Sequence, residues 1–315
     1  MNVEQLLPWG MVAIGIVGLG QGASWLVDGA SRLALRLGVS PMVVGLVVVG
    51  FGTSMPEFAV SVRAAVVGSG GLSLGNAVGS NIMNLLLVLG VAAALKPIHV
   101  VGGERVLRRD LVFGVVPAVI IMAMAWNGFI SRSTAVILLV IFAAFIVLAL
   151  RQAQAEQTGT TVVRGGPWRH LGLTAVGIVV LVVGSELMVR GGIELATRFG
   201  VSNAVIGLTL VAFGTSLPEL ATSVAAALKG ESEISIGNVL GSNIFNLGLV
   251  VGTAFTIRPA AVPSFVIRHD IPILVLATFI VGKIVVRDGK ISRAEGATML
   301  VLVTAYVAFV VIRGG

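Results

Sequence analysis

The chain has 315 residues, of which 57% are hydrophobic and 11% charged, with a formal net charge of +7 and no cysteine. So few charges cannot cover the surface of a soluble protein of this length, which excludes a soluble fold and, with it, the nucleic-acid partner that a basic chain would otherwise suggest. The missing cysteines exclude disulfides and thiolate metal sites, and the composition is that of an integral membrane protein.

Apolar runs long enough to cross a bilayer predict helices at 8–30, 40–67, 72–95, 109–127 and 132–150. The polar stretch 151–168 reads as a cytoplasmic linker, and five further spans follow at 169–190, 202–228, 234–257, 270–287 and 293–312. An odd number of spans per half means that the second half inserts upside down. The expected fold is therefore an all-α membrane protein of ten transmembrane helices, in two inverted five-helix repeats at 1–150 and 169–315. Fourteen Lys and Arg fall on one side of this topology and seven on the other. The basic side is read as cytoplasmic, with both termini on the opposite face.

The second and third spans contain a segment, 51–90, that returns at 213–252 with 24 of 40 positions identical. Gly52-Thr53-Ser54-Met55-Pro56-Glu57 becomes Gly214-Thr215-Ser216-Leu217-Pro218-Glu219. Gly75-Asn76, Gly79-Ser80-Asn81 and Asn84 become Gly237-Asn238, Gly241-Ser242-Asn243 and Asn246. A glutamate in a strongly apolar stretch is costly, and two at matching depth point to a cation site. Pro56 and Pro218 have no N–H for the carbonyls of Gly52 and Gly214, so each helix should kink and turn those oxygens inward. The i,i+4 spacing puts Thr53 on one face with Glu57, Thr215 with Glu219, Ser80 with Asn84, and Ser242 with Asn246. The resulting ligand set is all oxygen, suited to hard cations such as Ca2+ and Na+. His99, His170 and His269 all fall at span ends, away from it.

Other polar residues have simpler readings. Asp28 with Arg32 and Glu186 with Arg190 are spaced as helical ion pairs. Asp110 and Asp270 are placed to cap helices, and Glu231 and Glu233 lie in a short solvated loop. Arg63 replaces the Ala225 of the second copy and should snorkel to the interface. Asn81 and Asn243 are read as braces between helices, while Asn76 and Asn238 fit packing or a site role equally well.

The paired segments G-T-S-x-P-E and G-N-x-x-G-S-N-x-x-N, on consecutive helices, resemble the alpha repeats of the cation/calcium antiporter superfamily. Within it, the chain looks like the prokaryotic sodium/calcium exchangers along its whole length. The resemblance implies that Glu57 and Glu219, with Thr53 and Thr215, surround Ca2+. It places Ser54, Ser80, Ser216 and Ser242 at flanking Na+ sites and Asn84 and Asn246 in the central cluster. It implies a multi-pass protein of a prokaryotic inner membrane with Ca2+ and Na+ as substrates. No cofactor, nucleic acid, obligate protein partner or enzymatic activity is implied. Potassium-dependent members carry an acid where Asn246 stands, so K+ independence is expected. An H+/Ca2+ antiporter using the same glutamates is the nearest alternative, and a cation channel a more distant one. An intramembrane hydrolase would need a mid-span His or Asp, and the predicted spans have neither.

Overall fold

The computed structural model describes residues 3–99, 104–155, 166–200 and 212–314. The first half gives helices α1 (Val3–Leu37), α2 (Pro41–Thr53), α3 (Met55–Val66), α4 (Gly70–Leu95), α5 (Glu104–Met124) and α6 (Arg132–Ala155). The second gives α7 (Pro167–Arg198), the single turn α8 (Ala212–Gly214), α9 (Leu217–Lys229), α10 (Ser232–Ile257), α11 (Val266–Asp288) and α12 (Arg293–Gly314). Among the described residues seven helices are long and apolar enough to cross a membrane, or eight if α2 and α3, bent by 47°, count as one span. The span expected at 202–228 loses residues 202–211, which lie outside the described residues, as do 156–165 of the linker. In α5 only Leu111–Met124 is apolar.

Helices α1 and α7 overrun their predicted spans. At 35 and 32 residues each is about 50 Å long, against a hydrocarbon core of about 30 Å. Hydropathy reads the bilayer crossing and not the helix, so the polar residues that ended each predicted span sit on further helical turns. The two helices pack together along their length through small residues. A Cβ on Gly177 would lie 2.5 Å from the Leu26 backbone N, and one on Gly22 would lie 2.8 Å from the Leu181 N. Such contact is open only to glycine, and close backbone packing is what holds helices together in lipid.

The remaining helices enclose the larger apolar core, built around Leu74, Ile82, Leu89, Phe145, Val239, Ile244 and Phe255. A second cluster joins α1 and α7 to α2, α9 and α10 through Leu26, Ala30, Val49, Leu181 and Ala226.

Two short strand pairs link the halves. β1 (Ile98–His99) runs antiparallel to β4 (Lys290–Ile291), and β2 (Phe129–Ile130) to β3 (Ala260–Ala261). Two further ties are reciprocal. Lys96 Nζ donates to Leu228 O at 3.0 Å, at the end of α9, and Arg258 Nη1 donates to Val66 O at 3.1 Å, at the end of α3. Each cation meets the open carbonyls and negative dipole end of a helix from the other half.

Two local expectations change. Asp28 pairs with Lys229 of α9 and not with Arg32 on its own helix. Asp270 lies inside a continuous helical run with αR backbone and makes no capping hydrogen bond. The side chain of Asp110 lies outside the described residues. Glu186 and Arg190 do pair along α7.

Candidate functional site

Each copy of the motif breaks its helix before the proline. Ser54 (φ −83°, ψ 5°) separates α2 from α3, and Ser216 (φ −88°, ψ 3°) stands before α9 in the same conformation. Pro56 and Pro218 therefore sit in the first turn of a new helix, where a missing N–H costs nothing. A serine at such a position commonly caps its own helix, but neither hydroxyl does so here. Ser54 Oγ instead donates across the molecule to Glu219 Oε1 at 3.3 Å.

The break also revises the i,i+4 expectation. Ser54 interrupts the helical period between Thr53 and Glu57, so the hydroxyl and the carboxylate of one copy do not pair. Thr53 Oγ1 donates to Asn238 Oδ1 at 2.9 Å and lies 3.3 Å from Ser242 Oγ, both on α10. Ser242 Oγ donates to Glu219 Oε1 at 3.3 Å. Glu219 is thus approached by Thr53 and Ser54 from the other half and by Ser242 from the next helix of its own. Thr215 and Ser80 stand beside Glu57 from the matching positions, without closing a hydrogen bond to it. The crossed pattern brings both motifs into one site.

Behind the carboxylates lies a layer of amides. Asn76 Nδ2 donates to Glu57 O at 3.3 Å and to Ser61 Oγ at 2.9 Å. Asn238 Nδ2 makes the same two bonds, to Glu219 O and Ser223 Oγ, at 3.3 and 2.9 Å. Deeper still, Asn84 Nδ2 donates to Asn243 Oδ1 at 3.1 Å, and Asn246 Nδ2 to Asn81 Oδ1 at 3.0 Å. With both Nδ2 groups engaged there, the Asn84 and Asn246 side-chain oxygens are left without a donor. Both asparagines open a π-helical turn, Asn84–Val88 and Asn246–Val250, the irregularity that widens a helix and often marks functional sites.

Buried polar atoms are normally paired, so the exceptions are informative. Among the described residues, seven oxygens of these motifs have no hydrogen-bond partner: Glu57 Oε1 and Oε2, Glu219 Oε2, Asn84 Oδ1, Asn246 Oδ1, Thr215 Oγ1 and Ser216 Oγ. All are acceptors or hydroxyls, and Glu57, Glu219, Asn84 and Asn246 are fully shut from solvent. Carboxylate, amide and hydroxyl oxygens of these kinds form a donor set suited to a hard cation. They offer nothing to a soft metal.

The second motif's break is covered by α7. Ser185 Oγ donates to Gly214 O at 2.8 Å, so this freed carbonyl is satisfied by α7 and does not point at the carboxylates. The position equivalent to Ser185 in the first half is Ala23. A Cβ on Gly52 would run into Ile178 Cδ1, and one on Gly214 into Val189 Cγ2, so α7 rests directly on both motif glycines.

All ten residues singled out from the sequence lie in this region, and Asn81, Asn243, Asn76 and Asn238 serve as bracing amides. Sequence reading passed over Ser61 and Ser223, although both are identical positions of the repeat. Nothing in the sequence marks Ser185, which lies outside the repeated segment.

A family model described as sodium/calcium exchanger protein matches residues 7–151 and again 169–313. The chain is 35% identical over 287 residues to inner membrane protein YrbG of Escherichia coli K12, covering 87% of each. It is 30% identical over 345 aligned positions to sodium/calcium exchanger MaX1 of Methanosarcina acetivorans, covering 96% of this chain and 97% of that one. A solved structure of the sodium-calcium exchanger NCX_Mj, soaked with zero Na+ and Ca2+, matches with a TM-score of 0.84 and 32% identity, covering 96% of this chain and 98% of that one.

Proposed function

The chain belongs to the sodium/calcium exchanger family, and from that premise we propose that it exchanges Na+ for Ca2+ across a prokaryotic inner membrane by alternating access. Membership of the family supports a cation/Ca2+ antiporter. Glu57 and Glu219, with Thr53 and Thr215, hold Ca2+. Ser54, Ser80, Ser216 and Ser242 take part in flanking Na+ sites, with Asn84 and Asn246 between them. The observation that carries this is the group of seven buried oxygens without partners.

Two carboxylates carry about two negative charges, which one Ca2+ or more than one Na+ would neutralise. Buried carboxylates without a counter-charge are penalised, so the loaded forms reorient and the empty form is disfavoured. That condition couples the two ions. The hydroxyl and amide oxygens around the carboxylates favour Na+ over H+ as the counter-ion, because a proton needs no such shell. The neutral amide of Asn246 supports K+ independence.

For the architecture, we place ten spans in two inverted halves, with the basic face cytoplasmic and both termini outside. The double match of the family model and the reciprocal bonds between halves support that arrangement. Helices α2–α4 and α8–α10 form a fixed frame, and the glycine-packed pair α1 and α7 slides across it. Purified protein in liposomes should take up Ca2+ under an outward Na+ gradient, unchanged when K+ is replaced by choline. Uptake driven by a pH gradient alone would move the assignment to H+/Ca2+ exchange, and uptake needing no counter-ion would indicate a channel.

A further inference from the structure

At one end of the molecule α1 is tied to the frame by charge. Lys229, the last residue of α9, donates from Nζ to Asp28 Oδ1 at 2.6 Å, to Ser24 O at 2.9 Å and to Ser24 Oγ at 2.8 Å. Nearly one turn further along α1, Ser31 Oγ donates to Glu231 Oε1 at 2.6 Å.

The repeat offers an internal control. At the offset of 162, Ser24 and Asp28 correspond to Glu186 and Arg190 on α7, and Lys229 to Val67 at the end of α3. Glu186 and Arg190 pair with each other along their own helix, and Val67 has no charge with which to hold α7. The caps that close the frame itself, Lys96 on Leu228 O and Arg258 on Val66 O, are present at both ends. Among the described residues these caps are thus alike at the two ends of the frame, while the charged tie between sliding helix and frame is found at one end.

We infer that Lys229, Asp28 and Ser24 form a one-sided latch, which holds α1 against α9 on the basic face and must part before the site opens there. The inference rests on the alternating-access reading above. The Lys229 side chain is 31% exposed and that of Asp28 45%, so water screens the pair and it can break in every cycle. A contact made in one state and lost in the other biases the population by its own strength and no more. The latch therefore lowers access from the basic face without altering the oxygens of the site. Its effect should fade as ionic strength rises.

The chain has no cysteine, so one introduced thiol can report. Ala30 is fully buried in the cluster that joins α1 to α9. Full-length Ala30→Cys protein in sealed vesicles is labelled with a membrane-impermeant maleimide from the basic face. Adding Lys229→Ala or Asp28→Asn should speed labelling about three- to fivefold, the range of a solvated ion pair. The exchanged pair, Asp28→Lys with Lys229→Asp, should slow it again. Unchanged labelling in both single variants overturns the latch. Ala226→Cys, in the same cluster, serves if Ala30→Cys does not fold. Na+-driven Ca2+ uptake is measured on the parent vesicles: its absence beside latch-dependent labelling overturns the exchange reading and leaves the latch standing, and its presence beside unchanged labelling does the reverse.

Discussion

Asn81 and Asn243 each donate an amide hydrogen to the other's backbone carbonyl, at 2.9 and 3.2 Å. Each also accepts from Asn246 or Asn84, so four side chains form one closed set of bonds out of reach of water. Asn243→Leu removes a donor from Asn81 O and an acceptor from Asn84 Nδ2, leaving buried groups unpaired. A loss of about 2–4 kcal/mol is expected, read as a lower melting temperature in detergent.

Glu57→Gln and Glu219→Gln should act in the opposite way on stability. Both oxygens of Glu57 are buried and unpartnered, so a neutral amide relieves a desolvated charge. The ion-free protein should melt at the same temperature or higher. Wild-type protein should gain about 3 kcal/mol from Ca2+ at a hundred times its dissociation constant, and both variants should lose that gain together with transport.

The contact between α1 and α7 predicts a difference between a glycine inside it, Gly177 of α7, and one on the open face of α1, Gly20. Gly177→Ala places a methyl group 2.5 Å from the Leu26 backbone and should cost about 1–3 kcal/mol. Gly20→Ala meets nothing within 4 Å, and its better helix propensity should leave stability unchanged or raised by up to about 1 kcal/mol. Thermal melts of the two variants and their exchange rates test the pair.

Ser185→Ala removes the donor that α7 gives to Gly214 O. A neutral bond of this kind is worth about 1 kcal/mol. If α7 slides as proposed, the bond joins the moving helix to the broken one, and the variant should change turnover by about fivefold, with Ca2+ affinity at equilibrium nearly unchanged. Comparing transport rate with Ca2+ binding by calorimetry separates the two effects.

Much of this was legible in the sequence. Residues 51–90 and 213–252 pointed to the candidate site because a glutamate in an apolar helix is expensive unless it binds or moves a charge, and the duplication pointed to the neighbours that the structure brings beside it. The crossed pairing was not legible. The i,i+4 rule assumes an unbroken helix, and Ser54 and Ser216, with ψ near 0°, break it. The π-helical turns at Asn84 and Asn246 were hidden for a similar reason, since one extra residue in a turn leaves no mark on an apolar run. Asp28 shows the limit for charges: its local partner Arg32 was visible, whereas Lys229 came from two hundred residues away.

The reciprocal ties between the halves, Lys96 to the end of α9 and Arg258 to the end of α3, β1 to β4 and β2 to β3, have the form of an isologous interface, in which residue i meets j and j meets i. Two identical subunits meeting this way would be bound to alter both ends at once, since each substitution appears twice. Joined in a single chain, the halves escape that constraint. Ser185 opposite Ala23, at the motif break, and Lys229 opposite Val67, at the basic end, are differences of this kind: the ties that join the halves match, while the helices that line the way in can differ from one side to the other.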